Sequence, residues 1–217
     1  AKDEFGAEDL KAWDVGYYSE KLRQQRYAIS QEELRPYFPA PKVIAGMFEV
    51  VNRLYGITFE EVTDQIDRWH DDAKYFLVKR DGEQIAGFYL DLYARENKRG
   101  GAWMDDCRVR RRKADGELQL PVAYLVCNFS APVGDQPALL THDEVTTLFH
   151  EFGHGLHHML TQVDTAGLSG INGVEWDAVE LPSQFLENWC WEPEALALIS
   201  GHYETGEPLP QELLDKM

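Results

Sequence analysis

The sequence predicts an α+β fold, predominantly α-helical with a small antiparallel sheet. Apolar residues recur at helical spacing in the stretches 7–28, 41–55 and 142–160. Two extended runs meet at Asp81-Gly82, a pair suited to a tight hairpin turn that needs positive φ. A Thr-x-x-Glu signal, which caps helix N-termini, precedes the last of these stretches, and a Ser-x-x-Glu signal precedes a separate short turn of helix. With 217 residues, 44% of them apolar and 12% aromatic, the chain can bury a core as one substantial domain or two small ones.

In chain order, Leu10, Trp13, Tyr17, Tyr18, Leu22 and Tyr27 lie among charges and predict an amphipathic helix over 7–28. Ser30-x-x-Glu33 caps a short turn of helix. Pro41 suits the first position of a helix that Gly56 closes after Tyr55, with Val43, Ile44, Met47, Phe48, Val51 and Leu54 as its buried stripe. Residues 1–72 are thus read as helical. The strands expected in 73–130 are Lys74–Lys79, Gln84–Tyr93 and Val122–Asn128. Arg108, Arg110, Arg111, Arg112 and Lys113 read as a solvated basic loop. Helices return in 141–217. Thr141 and Glu144 form a capping box before the periodic run Val145, Leu148, Phe149, Phe152, Leu156 and Met159. Asp164–Glu175, with Gly167, Gly170 and Gly173, reads as a mobile loop. Trp176–Trp191 follows as a helix with Asp177 as N-cap and Pro182 near its first turns, then a helix from Pro193 to Gly201.

A formal charge of −17 repels nucleic-acid phosphates and anionic membranes and favours cations or basic peptides. No apolar run approaches the ~20 residues of a membrane helix, and no basic-then-apolar leader is visible. Cys107, Cys127 and Cys190 are odd in number and form no C-x-x-C pair, which points to free thiols and a cytoplasmic location.

The chemistry concentrates at His150-Glu151-Phe152-Gly153-His154. Helical geometry puts His150 and His154 on one face, roughly 6 Å apart along the axis, so two imidazoles can grip one ion. Tetrahedral zinc held by two His and one carboxylate keeps a fourth position for water, and Glu151 stands beside that opening as a general base. Gly153 and Gly155 each weaken a helix interior, which is understandable where something approaches the backbone closely. His157 shares the face but lies roughly 10 Å from His150 along the axis, too far to bind the same ion. It and His158 read as packing residues, with a hydrogen bond that orients a ligand as the sharper option for His157. The third ligand comes from Asp164, Glu175, Asp177, Glu180 or Glu187. Glu180, Gln184 and Glu187 share a helical face. Glu180 lies nearest the incoming loop, which leaves Gln184 or Glu187 to support an imidazole from behind or to form a solvated acidic face.

The runs 142–160 (HDEVTTLFHEFGHGLHHML), 173–192 (GVEWDAVELPSQFLENWCWE) and 87–106 (GFYLDLYARENKRGGAWMDD) resemble the thimet oligopeptidase family of zinc peptidases, and the likeness extends from about Trp13 to the end. The resemblance implies a zincin-like arrangement in which the H-E-x-x-H helix and a Glu-bearing helix share one Zn2+ per chain. Its ligands fall on His150, His154 and Glu180, and its catalytic glutamate on Glu151. It implies a metalloendopeptidase acting on short, unstructured peptides, neither nucleic acid nor membrane being a partner. An edge strand of the sheet could then bind an extended peptide by strand addition. Enzymes of that family are longer, mostly helical and two-lobed, so 1–217 is expected to be part of a catalytic region. The family's later Gly-rich loop with tyrosines and a histidine has no counterpart here, and the chain opens on Ala1 and stops in an incipient helix at Leu209–Met217. The segment is therefore expected to be weakly active or inactive by itself, with the remainder of a longer polypeptide as partner. A noncatalytic zinc-stabilised helical module is the alternative reading, and an acidic interaction domain without metal the third.

Overall fold

The computed structural model describes residues 2–6, 9–27 and 30–217. Helices α1 (Lys2–Phe5), α2 (Asp14–Tyr27), α3 (Gln31–Leu34) and α4 (Ala40–Tyr55) come first. Strands β1 (Thr58–Glu61), β2 (Lys74–Arg80), β3 (Glu83–Tyr93), β4 (Trp103–Arg108), β5 (Arg111–Arg112), β6 (Leu118–Gln119) and β7 (Val122–Phe129) follow. The chain closes with α5 (His142–Met159), α6 (Leu181–Glu187), α7 (Pro193–Ile199) and α8 (Gln211–Leu214). The α+β class holds, with one correction. The five-stranded sheet, in order β1-β2-β3-β7-β4, is mixed: β3 and β7 pair in parallel, and the other neighbours are antiparallel.

The elements form where local chemistry dictates. Proline is tolerated in the first turn of α4, because the N–H it lacks would have had no helical partner. The helix ends at Gly56, whose φ of 65° is costly for residues with a Cβ. Asp81 and Gly82 carry φ of 51° and 83°, the paired positive values of a two-residue hairpin. At α5, Thr141 accepts a hydrogen bond from the Glu144 N–H while Glu144 accepts one from the Thr141 N–H, at 3.1 and 2.8 Å. All six residues of the periodic run in α5 are buried, as are Val43, Met47 and Val51 of α4.

One apolar core joins these pieces. Phe152, in the middle of the histidine motif, meets Phe48 of α4, Phe59 of β1 and Phe88 of β3 at centroid separations of 5.9, 5.7 and 5.5 Å. Burying such a ring contributes about 1.5–3 kcal/mol, so the motif helix is locked to the sheet through its own sequence. Near the end of β3, buried Asp91 accepts two 2.7 Å hydrogen bonds from Arg95, one of 2.8 Å from Lys98 and one of 2.9 Å from the Trp69 indole. Burial pushes this carboxyl up, yet the three donors outweigh it and hold its pKa at about 2.

Four sequence expectations are revised. The 1–72 stretch is not wholly helical, because Thr58–Glu61 pairs with β2 as an edge strand. The helix expected over 7–28 begins only at Asp14, as α2, and Leu10, Trp13 and Tyr17 stay exposed, so it buries no continuous stripe; positions 7, 8 and 28 of the expected span lie outside the described residues. The basic run is not a free loop. Arg108 ends β4, Arg111–Arg112 form β5, and Arg110 and Arg112 bind the Asp164 carboxylate at 2.8 and 2.9 Å. The helix expected over 176–191 is shorter: α6 starts at Leu181, and a 3-10 turn over Asn188–Cys190 follows it. Asp177 lies in the preceding turn, because a helix begun there would place Pro182 in its interior, where the ring collides with the preceding turn.

Among the described residues no helix is long and apolar enough to cross a membrane. Cys107, Cys127 and Cys190 carry free thiols.

Candidate metal centre

Helix α5 carries His150, Glu151 and His154 without interruption, and the two imidazole rings meet edge to face with centroids 4.9 Å apart. Glu180 is the residue that leads into α6. Its Oε2 lies 3.2 Å from His150 Nε2 and 3.0 Å from His154 Nε2, and one donor atom from each of the three residues lies within 4.8 Å of the others. Tetrahedral zinc with bonds of about 2.0–2.1 Å separates its ligand atoms by roughly 3.3 Å, so Glu180 Oε2 already stands from both imidazoles at about the spacing an ion requires.

The hydrogen bonding behind His150 sharpens the fit. His150 Nδ1 lies 2.6 Å from Glu187 Oε1. An ionised carboxylate only accepts, so a neutral imidazole here carries its proton on Nδ1 and points a lone pair from Nε2 at Glu180 Oε2. Two lone pairs facing each other repel. A cation between them turns that repulsion into two bonds, which is what two imidazoles and a carboxylate offer zinc.

Each titratable group is tuned by its surroundings. Burial pulls the His154 pKa down and keeps the ring in the neutral form that ligates metals, against the opposing charge of Glu180. For Glu180, burial alone would favour the acid. The Ser183 hydroxyl and the two imidazoles outweigh it and hold the carboxyl below the usual range. Glu151 is buried, and desolvation raises its pKa, countered by adjacent His150 and reinforced by the charge of Glu180.

Helix α6 reaches α5 because of Gly153. A methyl placed there would come within 2.6 Å of both the Pro182 carbonyl oxygen and the Ser183 Cα. Gly155 admits the Leu125 side chain of β7, 3.0 Å from the same imaginary methyl. The close approach inferred from the two glycines is thus made by α6 on one side and the sheet on the other. The N-terminus of α5 is pinned as well: buried His142 donates through Nε2 to the Cys190 carbonyl at 2.9 Å, just past α6.

The structure brings His150, His154 and Glu180 together with Glu151 beside them on α5. It leaves Asp164 bound to the two arginines, and Glu175 and Asp177 outside the donor group. His157 makes no hydrogen bond to a ligand, and its buried Nδ1 has no partner among the described residues; the orienting bond expected of it comes from Glu187. His158 is fully buried and donates through Nε2 to the Arg108 carbonyl at 2.8 Å, tying α5 to the end of β4. Ser183, 2.9 Å from Glu180 Oε2, was not legible as a site residue, although its place three residues after Glu180 is the available signal.

Comparison with known proteins adds to the geometry. Residues 1–217 match the sequence profile of Peptidase family M3. The chain belongs to that family. This M3 chain is 69% identical over 218 residues to oligopeptidase A of Escherichia coli (strain K12), covering 100% of the chain and 32% of that protein. It is 48% identical over 224 residues to organellar oligopeptidase A, chloroplastic/mitochondrial, of Arabidopsis thaliana, covering 100% of the chain and 28% of that protein. It is 36% identical over 212 residues to saccharolysin of Saccharomyces cerevisiae, covering 94% and 30%. The M3 chain thus spans about a third of the length of these relatives.

Proposed function

We propose that the chain is the zinc-binding part of the catalytic region of a longer, two-lobed M3 metalloendopeptidase that cleaves short peptides. The convergence of His150, His154 and Glu180 on one point, with buried Glu151 on the same helix, supports this zincin-like reading. Bound there, zinc supplies Lewis-acid chemistry that acidifies a water and polarises the scissile carbonyl. Glu151 takes the proton of the attacking water and passes it to the leaving amine. Burial raises its pKa above the ordinary carboxylate value, which makes it a stronger base toward that water than an exposed glutamate would be. The donor group contains three residues among those described, which favours an open coordination position over the closed four-ligand site of a purely structural module.

The test is metal content together with turnover. Purified chain should carry one zinc, retain it in Glu151→Gln and lose it in Glu180→Ala. A quenched fluorescent peptide should be cleaved slowly, chelator-sensitively, and not by Glu151→Gln. Failure to take up zinc would sink the reading.

A further inference from the structure

We propose that α6 is a positioning element for the donor group, with Glu187 fixing His150 from behind and Ser183 fixing Glu180. The proposal rests on the metal reading above and assigns roles to residues outside the donor group.

Glu180, Ser183 and Glu187 are spaced three and seven apart, which places them along one side of a single short helix. The Glu187–His150 contact of 2.6 Å is short, as a charge-assisted bond should be. It selects one of two neutral tautomers and stops rotation of the ring, so Nε2 stays aimed at the donor group. The Ser183 hydroxyl lies 2.8 Å from the Glu180 carbonyl and 2.9 Å from Glu180 Oε2. Its one proton can serve the oxygen that faces both imidazoles. Ser183 is fully buried, so water does not compete for that proton. Gly153 lets the α6 backbone touch α5, so these distances are set by main-chain contact. Gln184, on the same helix, is exposed and forms no side-chain hydrogen bond among the described residues.

The experiment has a metal arm and a metal-free arm. Zinc affinity is measured by competition with a chromophoric chelator in wild type, Glu187→Ala, Glu187→Gln, Ser183→Ala and Gln184→Ala. Glu187→Ala should bind zinc roughly 10–100-fold more weakly, the usual effect of losing such a partner. Glu187→Gln should recover part of the loss, since its amide oxygen still accepts from Nδ1–H. Ser183→Ala should lose roughly tenfold at most, and Gln184→Ala nothing. In the metal-free arm, long-range nitrogen–proton NMR of the zinc-free protein, recorded across a pH series and read at the alkaline end where the ring carries a single proton, should show His150 as the Nδ1–H tautomer in wild type and a mixture in Glu187→Ala. A merely structural role for Glu187 would leave the tautomer unmoved. An Nδ1–H tautomer that survives in Glu187→Ala, or zinc affinity within about twofold of wild type, would overturn the proposal. Absence of zinc binding in the wild type would overturn the metal reading instead, and the tautomer would still decide what Glu187 does to His150.

Discussion

Gly153 and Ser183 touch backbone to backbone: a methyl added to the glycine would sit 2.6 Å from the Ser183 Cα, closer than a carbon can approach. The contact joins the helix that bears both histidines to the helix that follows Glu180.

Gly153→Ala should therefore act on metal binding more than on the helix itself. Alanine favours a helix interior by about 1 kcal/mol over glycine, a gain in α5 taken alone. The methyl instead pushes α6 outward and carries Glu180 away from the imidazoles. Zinc affinity should fall at least tenfold while far-UV circular dichroism stays near wild type. Unchanged affinity would mean that α6 is free to slide.

Asp91 governs acid stability at the far end of the sheet. Its folded pKa of about 2 lies below the ordinary carboxylate value of ~3.9, so the unfolded chain binds the proton more readily. The stabilisation, about 2 kcal/mol, is fully present above about pH 4 and is lost as pH falls through 2. Asp91→Asn should lower stability at neutral pH by a few kcal/mol, because Arg95 and Lys98 lose their counter-charge, and should flatten the pH dependence between 4 and 2. Urea titrations at pH 7 and pH 3 check both points.

Gly170 is a second position where a side chain is excluded. Its φ is +63°, and an added methyl would sit 2.3 Å from Nδ1 of fully buried His158. Gly170→Ala should cost about 1–3 kcal/mol from backbone strain and more from displacing His158, whose Nε2 holds the Arg108 carbonyl. Thermal melts should show a larger drop than for Gly167→Ala, where nothing lies within 4 Å of the added carbon.

Thr141→Ala tests the start of the motif helix. Loss of an N-cap costs about 1 kcal/mol, and here it also frees the Glu144 carboxylate from its reciprocal bond. The melting temperature should fall by several degrees with zinc affinity little changed, since His150 lies more than two turns further on.

Legibility of the sequence followed how local each signal was. Helix α5, its cap and its buried face could be read residue by residue, because the capping box and the 3.6-residue period are neighbour effects. The hairpin at Asp81-Gly82 and the end of α4 at Gly56 were equally local. Edge strand β1, Thr-Phe-Glu-Glu, and β4, Trp-Met-Asp-Asp-Cys-Arg, carry acidic residues and little alternation, so only their partners in the sheet make them strands. The parallel pairing of β3 with β7 was hidden because it joins residues far apart in the chain. At the candidate metal centre, spacing put the two histidines on one face and left Gln184 or Glu187 to stand behind an imidazole, whereas the choice of Glu187 and the place of Ser183 depend on how α6 is phased against α5, which no single stretch encodes.

The parallel seam of the sheet also bears on the order of assembly. Gly87 and Val122 must find each other across a long excursion that includes β4, and α5 packs on the completed surface afterwards in sequence. Closing such a loop is slow compared with forming a hairpin or a helix. Capture of zinc during refolding should consequently lag behind recovery of helical signal, making the ion a late reporter that the whole architecture has come together.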